Sequence, residues 1–67
     1  MKVTVEYEKS RSQIDLPEGA AITDAIAAIG IPEDDVGFGV IRGRAVRKDY
    51  TLTDGDEVTL YQPIVGG

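Results

Sequence analysis

One short amphipathic segment limits the folds open to this chain. Its apolar positions recur every three or four residues, the stripe of a helix with one buried face, and they are Ile22, Ala25, Ile26 and Ile29. Gly30 stands where a left-handed C-terminal cap is needed and Pro32 prevents continuation, so we predict a helix over residues 22–29. The N-terminal signal is weaker, because Ala21 occupies the expected cap position. A single helix of this kind must bury its stripe against the rest of the chain.

The segments on both sides of the helix alternate between apolar and polar residues, which is typical of half-buried strands. A first strand is predicted over residues 2–8 and a second one up to Leu16, separated by a polar turn at 9–12. After the helix come an acidic loop, a third strand at 36–41, a reversal at 42–44, a short strand at 45–47, a turn at 53–56 and a last strand at 57–61.

One helix and these strands favour a two-layer α+β fold, a mixed sheet of four to five strands packed against one main helix. A chain of 67 residues has room for one domain, so we expect residues 1–67 to form it, with residues 63–67 as a flexible tail. The sheet face toward the helix is predicted to carry Val3, Val5, Ile14, Leu16, Val40, Val58 and Leu60.

Composition narrows the possible functions. The chain has no cysteine and no histidine, so it lacks the commonest members of nucleophile–base pairs and transition-metal sites. Catalysis by the chain alone is therefore not expected, and no metal site is predicted. Its formal charge of −5 disfavours nucleic acid as a general partner. Because we find neither a leader segment nor an apolar run long enough to span a bilayer, we expect no membrane contact and a cytoplasmic location.

Two charged clusters allow more than one interpretation. The basic cluster consists of Arg42, Arg44, Arg47 and Lys48, and it is either a solvated turn or an electrostatic docking patch. Asp54, Asp56 and Glu57 fit a turn better than a cation site, since the other oxygen ligands of a calcium loop are missing. Glu33, Asp34 and Asp35 are expected to be solvated loop residues without a chemical role.

The remaining reactive group is the α-carboxylate of Gly67. Pro63 stiffens the start of the tail, because proline fixes φ and cannot continue a sheet ladder. Ile64 and Val65 could contact an apolar groove, and the two glycines at 66–67 could pass a channel too narrow for any Cβ atom. The tail is thus suited to enter the active site of another protein.

The order of elements is that of a β-grasp fold, and two motifs accompany it: DGDEV at 54–58 and VGG at 65–67, joined by one strand. In these features the chain resembles the ubiquitin-like sulfur carriers, which include the thiamin carrier ThiS and the molybdopterin synthase small subunit MoaD. The resemblance covers essentially the whole chain. At the hairpin, Arg42-Gly43 replaces the Asn-Gly that is frequent in both subfamilies, so the subfamily stays open.

The resemblance implies a function and a set of site residues. A ubiquitin-activating-type enzyme would use ATP and magnesium to adenylate Gly67, and a sulfur donor would then convert it to a thiocarboxylate. The chain itself would bind no cofactor, and thiazole synthase or the molybdopterin synthase large subunit would accept the sulfur. Gly66 would be a spacer, Ile64 and Val65 threaded contacts, and Pro63 part of the partner-binding tail. Tyr61 and Phe38 would form a further docking pair, although burial tendency favours Phe38 as a core residue.

Three alternatives remain open. The chain could be a ubiquitin-like modifier conjugated through Gly67, which would have the same sequence features. It could be an RNA-binding β-grasp module similar to TGS domains, for which the basic cluster would supply the phosphate contacts. It could also be an interaction domain in which the two glycines have no role.

Overall fold

The computed structural model describes residues 1–64, and these residues form one sheet with one main helix. The elements are β1 (Lys2–Tyr7), β2 (Ser10–Asp15), α1 (Ile22–Ile29), a 3₁₀ turn (Glu33–Asp35), β3 (Phe38–Ile41), β4 (Arg44–Val46) and β5 (Glu57–Tyr61). The predicted helix and the predicted last strand are confirmed with the same bounds.

The five strands lie in the order β2-β1-β5-β3-β4. β1 pairs antiparallel with β2 and parallel with β5, while β3 pairs antiparallel with both β5 and β4. The last strand in sequence is therefore the middle strand of the sheet, held by hydrogen bonds on both sides. This is the mixed five-stranded β-grasp sheet that the element order predicted.

The core lies between α1 and one face of the sheet. The helix stripe contributes Ile22, Ala25 and Ile26, all at most 1% exposed, and each buried isoleucine stabilises the fold by roughly 1.5–3 kcal/mol. Ile29 is half-buried at the end of the stripe. The other core residues are Val3, Val5, Leu16, Ala20, Val36, Ile41, Leu52, Val58 and Leu60.

Backbone groups satisfy both ends of α1, which explains how the helix begins without a capping side chain at Ala21. The N–H groups of Ile22 and Thr23 donate to the carbonyl oxygens of Tyr50 and Lys48, at 3.0 and 3.1 Å. In addition, the Asp24 carboxylate accepts the Ala21 N–H at 2.8 Å. At the C-terminus Gly30 has φ +81°, which confirms the predicted left-handed cap.

The third and the short strand have shifted bounds, 38–41 instead of 36–41 and 44–46 instead of 45–47, and two further sequence predictions about the strands are wrong. The first hairpin turns at residues 8–9, where Glu8 has a positive φ of 55°, so that residues 10–12 belong to β2 instead of a polar turn. In β3 the face is inverted: Gly39 and Ile41 face the core, whereas Val40 lies on the solvent face opposite Thr59. Because Val40 and Ile41 are adjacent and both apolar, the sequence alone allowed either of them to face the core. In the folded protein Ile41 faces the core.

The turn before β5 is confirmed, and it joins the start of β1. The Asp54 carboxylate accepts the Lys2 N–H at 2.7 Å, and the Gly55 N–H donates to the Lys2 carbonyl at 2.8 Å. Asp56 is 2% exposed and its carboxylate accepts the Thr53 N–H at 2.9 Å. These contacts fix the register between β1 and β5.

Among residues 1–64, no helix has both the length and the apolar character that crossing a membrane would require.

Candidate functional site

The candidate site surrounds the end of β5, where the central strand leaves the sheet. Tyr61 is the last strand residue and lies directly opposite Phe38 of β3. The two rings stack with their centroids 5.3 Å apart and an interplanar angle of 16°. Tyr61 remains 47% exposed. The docking pair suggested by the sequence is thus brought together on the surface.

The expectation that Phe38 is a core residue is wrong. Phe38 shares its face with Val40, on the side of the sheet away from α1, and it is only half-buried. The burial tendency of phenylalanine is satisfied here by its stack on Tyr61 instead of by the core. An aromatic pair on the solvent face of a sheet leaves apolar surface available to a partner.

Gly37 determines how the chain leaves the sheet. Its N–H donates to the Tyr61 carbonyl at 2.8 Å, which holds the residue before β3 against the end of β5. A Cβ atom on Gly37 would lie 2.6 Å from the Pro63 Cα atom, so the backbone at 62–63 packs directly on this glycine. The predicted tail is therefore fixed to the sheet at Pro63, and Ile64 is the first residue beyond this contact.

We use the name Phe38–Tyr61 surface for Phe38, Tyr61 and Ile64. Ile64 is 86% exposed, an unusual environment for a large apolar side chain. The surface borders a shallow depression of about 590 Å³, which is also lined by the acidic residues Glu6 and Glu8. The Thr59 hydroxyl lies 3.4 Å from a Glu6 carboxylate oxygen. The arrangement offers apolar contact with negative charge at its margin.

The other predicted tail residues, Val65, Gly66 and Gly67, lie outside the described residues. Their assigned roles as threaded contact, spacer and reacting residue therefore stay predictions. Pro63 is described and exposed, next to Ile64.

The basic cluster is partly neutralised within the fold. Arg42 reaches the buried Asp56 at 3.4 Å, and Lys48 lies 3.7 Å from the Glu33 carboxylate. Arg44 and Arg47 are exposed, and neither forms an ion pair with any residue of the described range 1–64. Two of the four cations are thus engaged within the chain, which reduces the charge available to a phosphate backbone.

The acidic residues act as parts of turns. Asp54 and Asp56 each accept a backbone N–H, so the turn interpretation of this segment is confirmed. Glu33, Asp34 and Asp35 are exposed and form a 3₁₀ turn where a loop was predicted. Across positions 1–64, no group of three or more potential ligands is arranged to hold a metal ion.

Three features of the structure, one at the site and two at the turn before β5, could not be read from the sequence. The burial of Asp56 depends on Arg42 and on the Thr53 N–H, and only the turn itself was visible beforehand. The role of Gly37 requires knowledge of the contact with Pro63. The third feature is the pairing of β5, which follows the DGDEV motif. The motif predicted the turn, but the alternating pattern of a strand does not indicate which strand lies beside it.

The fold and the site define a ubiquitin-like protein of the β-grasp class. The chain belongs to the Mut7-C ubiquitin family, whose model matches residues 3–65. Protein RnfH from Cronobacter sakazakii is 35% identical over 78 aligned positions, which cover 97% of this chain and 78% of that protein.

Solved structures agree with this class. A candidate molybdopterin converting factor, subunit 1, from Pyrococcus furiosus is 29% identical, with a TM-score of 0.68 over 94% of this chain and 98% of that one. SAMP1 from Haloferax volcanii has a TM-score of 0.72 at 18% identity over the full length of both chains, which shows a shared fold. The resemblance to the ubiquitin-like sulfur carriers is confirmed by these matches.

Proposed function

We propose that this protein is a sulfur carrier whose Gly67 carboxylate is adenylated by a ubiquitin-activating-type enzyme and converted to a thiocarboxylate. The proposal rests on the exposed Phe38–Tyr61 surface, which lies where the central strand ends and the tail begins. A rigid strand that is paired on both sides gives the tail a fixed origin. The family and the likeness to a molybdopterin converting factor subunit support the same function.

The proposed chemistry divides the work between two proteins. The partner enzyme would bind ATP and magnesium, and the Gly67 carboxylate oxygen would attack the α-phosphorus, releasing pyrophosphate. Sulfur at the oxidation level of sulfide would then displace AMP from the acyl carbon, so no electrons are gained or lost overall. The carrier supplies the carboxylate and a docking surface, and the catalytic groups belong to the partner. Use of ATP is consistent with a cytoplasmic location.

The Phe38–Tyr61 surface would contact the activating enzyme while the tail enters its active site. Aromatic residues that combine apolar area with limited flexibility are frequent in the energetic centre of interfaces. Glu6 and Glu8 at the margin would favour a basic rim on the enzyme. Thiazole synthase or the large subunit of molybdopterin synthase would be the later acceptor of the sulfur.

The test is reconstitution with the ubiquitin-activating-type enzyme of the same organism, ATP, magnesium and sulfide. Intact-mass spectrometry should show replacement of one carboxylate oxygen by sulfur, which tandem fragmentation assigns to Gly67. A variant lacking Gly67 should remain unmodified. If ATP is never consumed and the mass never changes, the proposal is refuted.

A conjugated modifier would use the same activated carboxylate and is the second candidate. The fold shared with SAMP1 is compatible with either use and does not favour one of them. The reconstitution separates them when lysine-containing proteins from the same cells are added. A conjugate would show an isopeptide bond between Gly67 and a lysine, whereas a sulfur carrier would show only the thiocarboxylate.

A further inference from the structure

The open edge of the sheet at β2 has free hydrogen-bonding groups. β2 is the outermost strand, so within the described part of the chain nothing pairs with its far side. Leu16 exchanges two backbone hydrogen bonds with Met1, at 2.9 and 2.8 Å. Along an antiparallel ladder, hydrogen-bonded residue pairs alternate with pairs that exchange no hydrogen bonds. The backbone N–H and C=O groups of every second residue before Leu16 therefore also point toward β1. The residues between them direct their N–H and C=O groups outward, and these are Arg11, Gln13 and Asp15.

The side chains of this edge differ between the two faces of the sheet. Arg11 and Asp15 lie on the solvent face, opposite Glu6 and Lys2 of β1. On the helix side, Ser10 and Ser12 occupy positions where a larger apolar residue would cover the core. They leave a groove of about 280 Å³, which is lined by Val5, Tyr7, Ser10, Ser12, Ile29 and Ile31. The edge thus combines free backbone groups with uncovered apolar surface.

We propose that a second copy of this chain pairs with this edge, β2 antiparallel to β2, around a twofold axis at Gln13. In this register Arg11 of each copy lies opposite Asp15 of the other, and opposite charges at facing positions stabilise a strand pair. All three outward residues are used, which gives about six interstrand hydrogen bonds. On the helix side, Ile14 of one copy lies opposite Ser12 of the other and covers part of the groove.

Other registers and the other edge fit less well. Axes at Arg11 or Asp15 would place like charges opposite each other, and axes at Ser12 or Ile14 would leave one outward residue without a strand partner. β4, the opposite edge, is only three residues long and contains Arg44 without an acidic residue. Within one copy Arg11 contacts Glu57 at 3.0 Å, but both side chains are more than half exposed. Breaking this ion pair to form the contact with Asp15 of the second copy therefore costs little free energy.

The dimer does not depend on the proposed function. In the Phe38–Tyr61 surface, Phe38 lies on β3, Tyr61 lies on β5, and Ile64 follows β5. β5 is two strands away from β2, at roughly 10 Å. A dimer formed through β2 would therefore leave the tail and its docking surface accessible. Loss of dimerisation and loss of sulfur loading can be measured separately.

Sedimentation equilibrium tests the proposal. Because the interface is small, we expect a dissociation constant of roughly 10 µM to 1 mM, with the mass rising from 7.2 kDa toward twice that value. Arg11→Asp and Asp15→Arg should each weaken the dimer at least about tenfold, since each places like charges opposite each other twice. An equimolar mixture of the two variants should restore it, as should the double variant.

The matched control is Lys9→Asp, which changes charge in the adjacent turn, where no acidic residue of the second copy lies opposite. Its dimerisation should stay within about threefold of that of the wild-type chain. Circular dichroism establishes that every variant is folded. The proposal is overturned if the wild-type chain remains at 7.2 kDa up to millimolar concentration, or if the mixture fails to restore association.

Discussion

Gly37→Ala tests whether the tail is fixed to the sheet at Pro63. Neither Gly37 nor Gly39 has a φ in the left-handed region, so alanine changes only the space that each position requires. At Gly37 a Cβ atom would lie 2.6 Å from the Pro63 Cα atom and 2.9 Å from its nitrogen. Since these atoms are backbone, the clash can be relieved only if the segment at 62–63 moves away from β3.

Gly39→Ala is the matched comparison, because its Cβ atom would enter the core instead. It would lie 2.8 Å from Val58 Cγ2 and 3.1 Å from Ile22 Cδ1, both on fully buried side chains. Overpacking of this kind costs about 1–3 kcal/mol of unfolding free energy. Gly37→Ala should lower the free energy of unfolding by less than about 1 kcal/mol, because the segment at 62–63 can move away. The remaining cost is the loss of one hydrogen bond to Tyr61.

The assay is urea unfolding combined with NMR chemical shifts. With a slope of about 1 kcal/mol per molar, Gly39→Ala should lower the urea midpoint by about 1–3 M and Gly37→Ala by less than about 1 M. In Gly37→Ala the large shift changes should be confined to positions 36–38 and 61–63. Unchanged Cα shifts at Gln62 and Pro63, or a loss of stability equal to that of Gly39→Ala, would show that the segment at 62–63 does not move away from β3.

Three further predictions use the same unfolding assay. Asp56→Ala should lower the free energy of unfolding by about 1–3 kcal/mol, because the Thr53 N–H loses its acceptor in a part-buried hydrogen bond. A change below about 0.5 kcal/mol, on the order of a surface mutation, would contradict this. Arg42→Gln should lower the free energy of unfolding by at most about 1 kcal/mol, since the Arg42 side chain is 76% exposed. A loss as large as that of Asp56→Ala would show that the ion pair with Asp56 matters more than the hydrogen bond from the Thr53 N–H. Gly30→Ala should cost about 1–2 kcal/mol through its φ of +81° alone, since no atom lies within 4 Å of the added Cβ, and an unchanged midpoint would exclude this strain.

The sequence predicted those elements whose local pattern agrees with their final environment. Residues 22–29 had a helical stripe followed by Gly-Ile-Pro, and the structure contains both the helix and its C-terminal glycine cap. The last strand had clean alternation, with Val58 and Leu60 buried as expected. In each case the local preference and the tertiary packing select the same conformation.

The wrong predictions concern segments whose local pattern fits two different arrangements. Adjacent Val40 and Ile41 fit either face, and the glycine at 39 was needed because Val58 and Ile22 occupy the space above it. Phe38 was expected in the core on its residue type, but its strand phase places it on the surface. Contacts between distant segments, such as Gly37 with Pro63, have no signature in the pattern of either segment.

We propose that the Gly67 carboxyl group is the reacting group of this protein. The most direct test of this claim is the intact mass of the chain isolated from the cells that naturally produce it, without added enzyme. We expect a fraction in which one oxygen at Gly67 is replaced by sulfur, and this fraction should disappear on alkylation of the thiocarboxylate. A chain that carries additional residues after Gly67 in those cells and still fulfils its role would contradict the claim.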